Sequence, residues 1–177
     1  MARLKNNFGF TLLELLIAAM LTIVISSAAL TFLAHSNQQY LSQEEISEMQ
    51  QSIRASIQEV VKQLRMAGFG LADTVPPIVI DSVAGASDTL TVFRDTFAIK
   101  FYLDTVTDSL HPSLIKEVNN VPSIYATDIS QFQASWIPPK SIRITISAKT
   151  AKADYDIGGG NALGRTESQV VNLRNIR

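Results

Sequence analysis

Few residues in this chain have the type and spacing to do chemistry. Glu14 is the only ionisable side chain in the 25 residues from Phe10 to Ala34, a stretch without Pro or Gly. A carboxylate on an apolar helix costs roughly 2.5–3.5 kcal/mol near the centre of a bilayer. Its chemistry is therefore electrostatic, and something must compensate it; the plainest compensation is a position close enough to the helix start to reach the interface and gain from the helix dipole. A second set lies in Asp154-Tyr155-Asp156-Ile157-Gly158-Gly159-Gly160-Asn161, where two carboxylates at alternate positions precede glycines. Asp154 and Asp156 are weak calcium candidates, because the loop lacks the further and bidentate ligands of a complete calcium loop. A solvated hairpin accounts for the same residues, and so does a partner-contact loop. His35 and His111 are far apart in sequence, and there is no cysteine. With no G-x-S-x-G, H-E-x-x-H or Walker pattern, the sequence predicts neither an enzyme nor a bound cofactor.

The elements that must position Glu14 are legible in the hydropathy. The run from Phe10 to Ala34 is long enough as a helix to cross a hydrocarbon core about 30 Å thick. It is too long for the apolar part of a secretory signal and flows directly into a polar helix, so it is expected to be retained. The preceding residues 1–9 carry Arg3 and Lys5, a bias that keeps this end cytoplasmic and turns the rest of the chain outward. Past Ala34 the sequence becomes polar, but no Gly or Pro intervenes until Gly68. Ile46, Met49, Ile53, Ile57, Val60 and Leu64 recur every three or four residues, the stripe of a helix packed along one face of a domain. Gly68 and Gly70 are suited to stop that helix, and Pro76-Pro77 prevents its resumption.

Gly9-Phe10-Thr11-Leu12-Leu13-Glu14-Leu15-Leu16-Ile17, behind a short basic leader and opening a long apolar run, closely resembles the prepilin cleavage motif of type IV pilins and pseudopilins. The resemblance implies that a prepilin peptidase cuts between Gly9 and Phe10 and methylates the new amino group of Phe10. It also implies that Glu14, by then the fifth residue, neutralises the N-terminal amine of a neighbouring subunit. The helix end Gln63-Leu64-Arg65-Met66-Ala67-Gly68-Phe69-Gly70 is similar to that of PilW-type minor pilins, as is the stretch from Tyr40 to Glu45. The close Ser168-Gln169-Val170-Val171-Asn172-Leu173-Arg174-Asn175 resembles the final strand of PilW-like and GspJ-like proteins. Unlike common major pilins, the spine from Phe10 to Gly68 has no proline and the C-terminus no cysteine pair.

From Ile78 onward the apolar period is two, as in Phe97, Ile99, Phe101 and Leu103, or Ile142, Ile144 and Ile146. Such runs are half-buried strands. Turn-rich joints at 85–88, 104–112, 119–122, 138–139 and 154–164 favour an antiparallel sheet over parallel units. Trp136 shares a strand phase with Phe132 and Ala134 and is expected in the core. Phe93 and Tyr102 fit sheet packing or a neighbouring subunit. The expected fold is α+β: a leader at 1–9, a membrane and filament-core helix at 10–34, the amphipathic half of the same helix at 35–68, and a sheet domain at 69–177.

The resemblance implies a minor pilin that helps to assemble or initiate a type IV pilus, with partners among minor and major pilins, the peptidase, the inner-membrane assembly platform and the bilayer. A type II secretion pseudopilin is the alternative within the class, with a competence pilin behind it; a tip-binding or adhesion module is the alternative outside it. Lys plus Arg number 15 and Asp plus Glu 16, a net charge of -1, and this balance offers nucleic acid no electrostatic footprint. The implied location is a single pass of the inner membrane with the domain outside the cytoplasm, then a filament.

Overall fold

The computed structural model describes residues 10–72, 74–82, 87–109, 111–154 and 161–175. They form one helix, α1 (Leu12–Met66), and eight strands: β1 (Ile78–Asp81), β2 (Thr89–Arg94), β3 (Phe97–Asp104), β4 (Ser113–Val118), β5 (Val121–Ala126), β6 (Ile129–Ile137), β7 (Ser141–Asp154) and β8 (Asn161–Asn172). The chain divides into two compact units, Met1–Ser42 and Gln43–Arg177, and α1 contributes to both.

Within the first unit, the helix start and three hydroxyls are bonded along the helix itself. Thr11 caps it: its carbonyl accepts the first helical bond from the Leu15 amide at 3.2 Å. Three hydroxyls in the apolar run turn back onto the preceding turn. Thr22 Oγ1 donates to the Ala18 carbonyl at 2.7 Å, Ser27 Oγ to Val24 at 2.9 Å and Thr31 Oγ1 to Ser27 at 2.8 Å. A polar hydrogen that would be costly in hydrocarbon is thus satisfied inside the helix.

Within the second unit the predicted stripe is the buried one. Ile53, Val60 and Leu64 are wholly buried, and Met49 and Ile57 nearly so. Ile46, at the start of the stripe, is half-buried. The antiparallel strands divide into two sheets, ordered β1-β2-β3-β4-β5 and β6-β7-β8. Leu90, Phe101 and Leu114 from the first sheet and Phe132, Ile144 and Ile146 from the second meet the helix stripe in a single core cluster. This is the α+β architecture of a long N-terminal helix packed on antiparallel sheets, consistent with the type IV pilin fold.

The joints are tighter than the composition implies. Asn119 and Asn120, with φ of +48° and +66°, make a two-residue hairpin in which Val118 pairs with Val121, the left-handed pair that such a turn requires. Pro122 therefore sits inside β5, where it is tolerated because β5 is an edge strand. Likewise, Asp154 belongs to β7 and Gly164 to β8, paired with Lys149. Between β3 and β4 the expected loop is pinned by Asp104, whose carboxylate accepts the Val106 amide at 2.9 Å and the Thr107 hydroxyl at 2.6 Å.

Trp136 departs from expectation. It has the phase of buried Phe132 and Ala134 but is 48% exposed. Its cross-strand partner Ile142 is wholly buried, so the core reaches this rung on β7 but does not cover the edge strand β6 beside it. Alternation fixes a face, but only burial by another element makes that face core.

Candidate functional site

The helix start carries the residues singled out for processing and assembly. Gly9 lies outside the described residues. Phe10 precedes the helix and is 91% exposed. Glu14 turns back on the cap: its Oε2 accepts the Thr11 amide at 2.9 Å and the Thr11 hydroxyl at 3.0 Å, while the Glu14 amide donates to Thr11 Oγ1 at 3.3 Å. This reciprocal pair is a capping box, in which two amides without helical partners are satisfied. The T-x-x-E spacing signals it in the sequence, although hydropathy alone does not draw attention to Thr11. Among the described residues no cation pairs with Glu14, so the cap holds the carboxylate in place without neutralising its charge.

Around this start the apolar surface is uncovered. Leu12 is 83% exposed, Ile25 68% and Phe32 75%, and no part of the apolar window is buried. Soluble monomers rarely expose so large a contiguous apolar surface. α1 is long and apolar enough to cross a membrane. Within residues 10–34 the Thr22, Ser27 and Thr31 hydroxyls are bonded to the helix's own carbonyls, and the one ionisable side chain, Glu14, sits at the capped end.

At the other end of α1, two further motifs meet. Gly68 and Gly70 have φ of +79° and +74°, and the Gly68 amide donates to the Phe93 carbonyl at 3.0 Å. A side chain at Gly68 would bring its Cβ to 2.7 Å from the Asn175 carbonyl oxygen. The glycine is thus required twice, for its left-handed backbone and for the close approach of the C-terminal residues. The helix end and the Leu173-Arg174-Asn175 close, far apart in sequence, are one locus in the fold.

The remaining candidates separate. Asp154 ends β7 in register with Asn161, and Asp156 lies outside the described residues. Among the described residues no group of three or more His, Asp or Glu side chains could hold a metal ion. His111 Nδ1 lies 2.7 Å from Asp128 Oδ1, in a clip that joins the loop before β4 to the turn before β6. Asp128's hydrogen bond and charge push the His111 pKa up.

One polar cluster was not foreseen. Lys116 on β4 donates to Glu59 Oε1 on α1 at 2.6 Å, and Gln63 Nε2 donates to the same oxygen at 2.7 Å. Burial desolvates Glu59 and would raise its pKa, but the hydrogen bonds of Lys116 and Gln63, with the lysine's charge, outweigh that and hold it low. Glu59 and Gln63 are four apart on the helix and could have been read as a pair; Lys116 on a strand carries no such signal. Ser56 is wholly buried, and its Oγ has no partner among the described residues.

Residues 4–30 match the family model described as the prokaryotic N-terminal methylation motif, a span that includes Gly9, Phe10 and Glu14. No curated protein and no solved structure matches the chain. The motif, with the apolar helix and the fold, supports a type IV pilin-like or pseudopilin protein, anchored in a membrane by a single pass and carrying a globular domain. Such a motif implies processing by a prepilin peptidase and assembly with other pilins.

Proposed function

We propose that this chain is a minor pilin of a type IV pilus system, built into the filament through α1 and acting in pilus assembly or initiation. The observation that carries the proposal is the coincidence, over residues 4–30, of the methylation motif with an uncovered apolar helix whose single carboxylate is held at its capped start. In this reading the peptidase cuts between Gly9 and Phe10 and methylates the Phe10 amine, leaving Met1–Gly9 in the cytoplasm. Arg3 and Lys5 keep that end inside, and the domain stands outside the cytoplasmic face of the inner membrane. Assembly then trades lipid for neighbouring apolar helices. Glu14 trades its uncompensated charge for a neighbour's ammonium, an attraction of roughly 4 kcal/mol at 4 Å in an effective dielectric near 20. The partners are other minor and major pilins and the inner-membrane assembly platform.

The PilW-type assignment is supported by the meeting of the helix end at Gly68 with the Leu173-Arg174-Asn175 close, the two stretches on which that resemblance rests. The test is the N-terminal mass of protein purified from its native membrane or sheared filaments. A chain beginning at N-methylated Phe10 is expected. One that retains Met1–Gly9 would reduce the protein to a membrane-tethered domain. Glu14→Leu should insert normally and fail to be incorporated, and full incorporation would remove the role given to that charge.

A further inference from the structure

At the end of α1, the helix, the β2–β3 hairpin and Asn175 line a cleft of about 400 Å³. Arg94 and Phe97, the last pair of the β2–β3 ladder, have the phase of the buried Val92 and Ile99, so both lie on the helix side of the sheet. There they join Arg65 and Met66 from the last turn of α1, and Phe69 from the turn that follows it. Two backbone bonds fix the walls: the Gly68 amide donates to the Phe93 carbonyl at 3.0 Å, and the Asp95 amide to the Phe69 carbonyl at 2.7 Å. Gly70 permits the close approach, since a Cβ there would stand 3.2 Å from that of Asp95. The cleft is thus held in shape by the fold, which lowers the cost of binding.

Its lining combines exposed aromatics with an unanswered charge. Phe69 is 66% exposed and Phe97 42%, while Arg94 is half-buried. The Arg94 guanidinium carbon lies 6.0 Å from the centre of the Phe97 ring, and its Nη1 donates to Met66 Sδ at 3.0 Å. A thioether is a weak acceptor. Among the described residues neither Arg94 nor Arg65 has a carboxylate within ion-pair distance. Asp95 follows Arg94 in sequence but turns to the other wall, with its Oδ1 3.5 Å from where a Gly70 Cβ would stand. Arginine is matched by a carboxylate, which takes charged hydrogen bonds from its fork. Aromatic, Met and Arg side chains are also those that anchor protein interfaces. Asp95 and the Asn175 carboxamide add acceptors to the lining, which suit the amides of a peptide backbone and oppose a phosphate headgroup. We infer that this cleft docks a segment of a separate protein, an apolar side chain lying against Phe69 and Phe97 while a neighbouring carboxylate meets Arg94 and Arg65. The contact is made by the domain, so the inference goes beyond the filament-subunit reading, which stands on the helix start.

The test is selection of a displayed random-peptide library on the full chain in neutral lipid nanodiscs, with empty nanodiscs as the counter-selection. The recovered peptides should share an apolar residue beside an Asp or Glu. A synthetic peptide of that consensus should bind about tenfold more weakly to Arg94→Gln and to Arg65→Gln, the size of one charged hydrogen bond. Phe69→Ser should weaken it as well. Because Arg65 and Phe69 are exposed, their two variants should keep the wild-type melting temperature. Exchanging the acid of the peptide for its amide should cost about tenfold against wild type and little more against Arg94→Gln, the signature of a direct pair. An empty selection, a consensus without a carboxylate, or equal binding by all three variants would overturn the inference. Competition by phosphatidylglycerol nanodiscs would give the cleft to lipid, and Arg94-dependent self-association would give it to a second copy; either result overturns a separate protein partner.

Discussion

The two halves of α1 share one backbone geometry and meet opposite fates. In the second unit, Ile53, Val60 and Leu64 are wholly buried under strands from both sheets; in the first unit, Leu12, Ile25 and Phe32 are exposed to 68% or more. Apolar surface is stabilised by removal from water at about 25 cal/mol per Å² wherever cover exists. The sheets are the cover in the second unit. In the first, none of the described residues covers the apolar window, and the proposed function assigns that cover to lipid and to other chains. Helix propensity is common to both halves, and what distinguishes them is who provides the neighbour.

That contrast can be broken from either side. The largest expected effect is in the covered half: Leu64→Ala should cost about 2–5 kcal/mol of domain stability, measured by denaturant unfolding, because it opens a cavity between helix and sheets. Membrane fractionation should not change. In the uncovered half, Val24→Arg should reverse the pattern, costing roughly 2.5–3.5 kcal/mol of insertion and shifting protein out of the membrane fraction. The domain's unfolding midpoint should stay put. If Val24→Arg destabilised the domain as much as Leu64→Ala does, the two halves would not be independent in their cover. A smaller effect sharpens the covered side: Lys116→Met should cost about 1.5–3 kcal/mol, since it leaves Glu59 largely buried without its charged partner. The depressed Glu59 pKa means that this contribution is present above the carboxylate's unfolded pKa and is lost as pH falls through the folded one. Wild type and Lys116→Met should therefore converge in acid.

The long-range features with a period or a single-residue signature were legible in the sequence. The stripe from Met49 to Leu64, the stop at Gly68 and Gly70, and the β3, β6 and β7 alternations all follow from local rules. Features set by the ends of elements were harder to see. Trp136 obeys its strand's phase and still faces solvent although its partner Ile142 is buried, because phase does not say whether an edge strand is covered. The Asn119-Asn120 turn could have been read from its residue types, which would have kept Pro122 in a strand. Lys116 had no such cue, since only the β4 register opposite α1 brings it to Glu59. At the helix start Glu14 stood out by hydropathy, while its bond to Thr11 required reading the cap.

The smallest expected effect lies in a clip between a loop and a turn. His111 and Asp128 clip the loop before β4 to the turn before β6, and the His111 pKa is raised by Asp128, with Asp108 adding its charge. Protonated imidazole is favoured in the fold, so the stabilisation is fully present below the unfolded histidine pKa of about 6.5 and is lost as pH rises through the folded value. His111→Gln should abolish that pH dependence. Because the pair is solvent-exposed, its effect should be screened by salt. Melting curves on either side of neutrality, at low and high ionic strength, would show it as a small difference between wild type and variant confined to the acidic side. A pH response of equal size in His111→Gln would place the titrating group elsewhere and leave the clip without an energetic role.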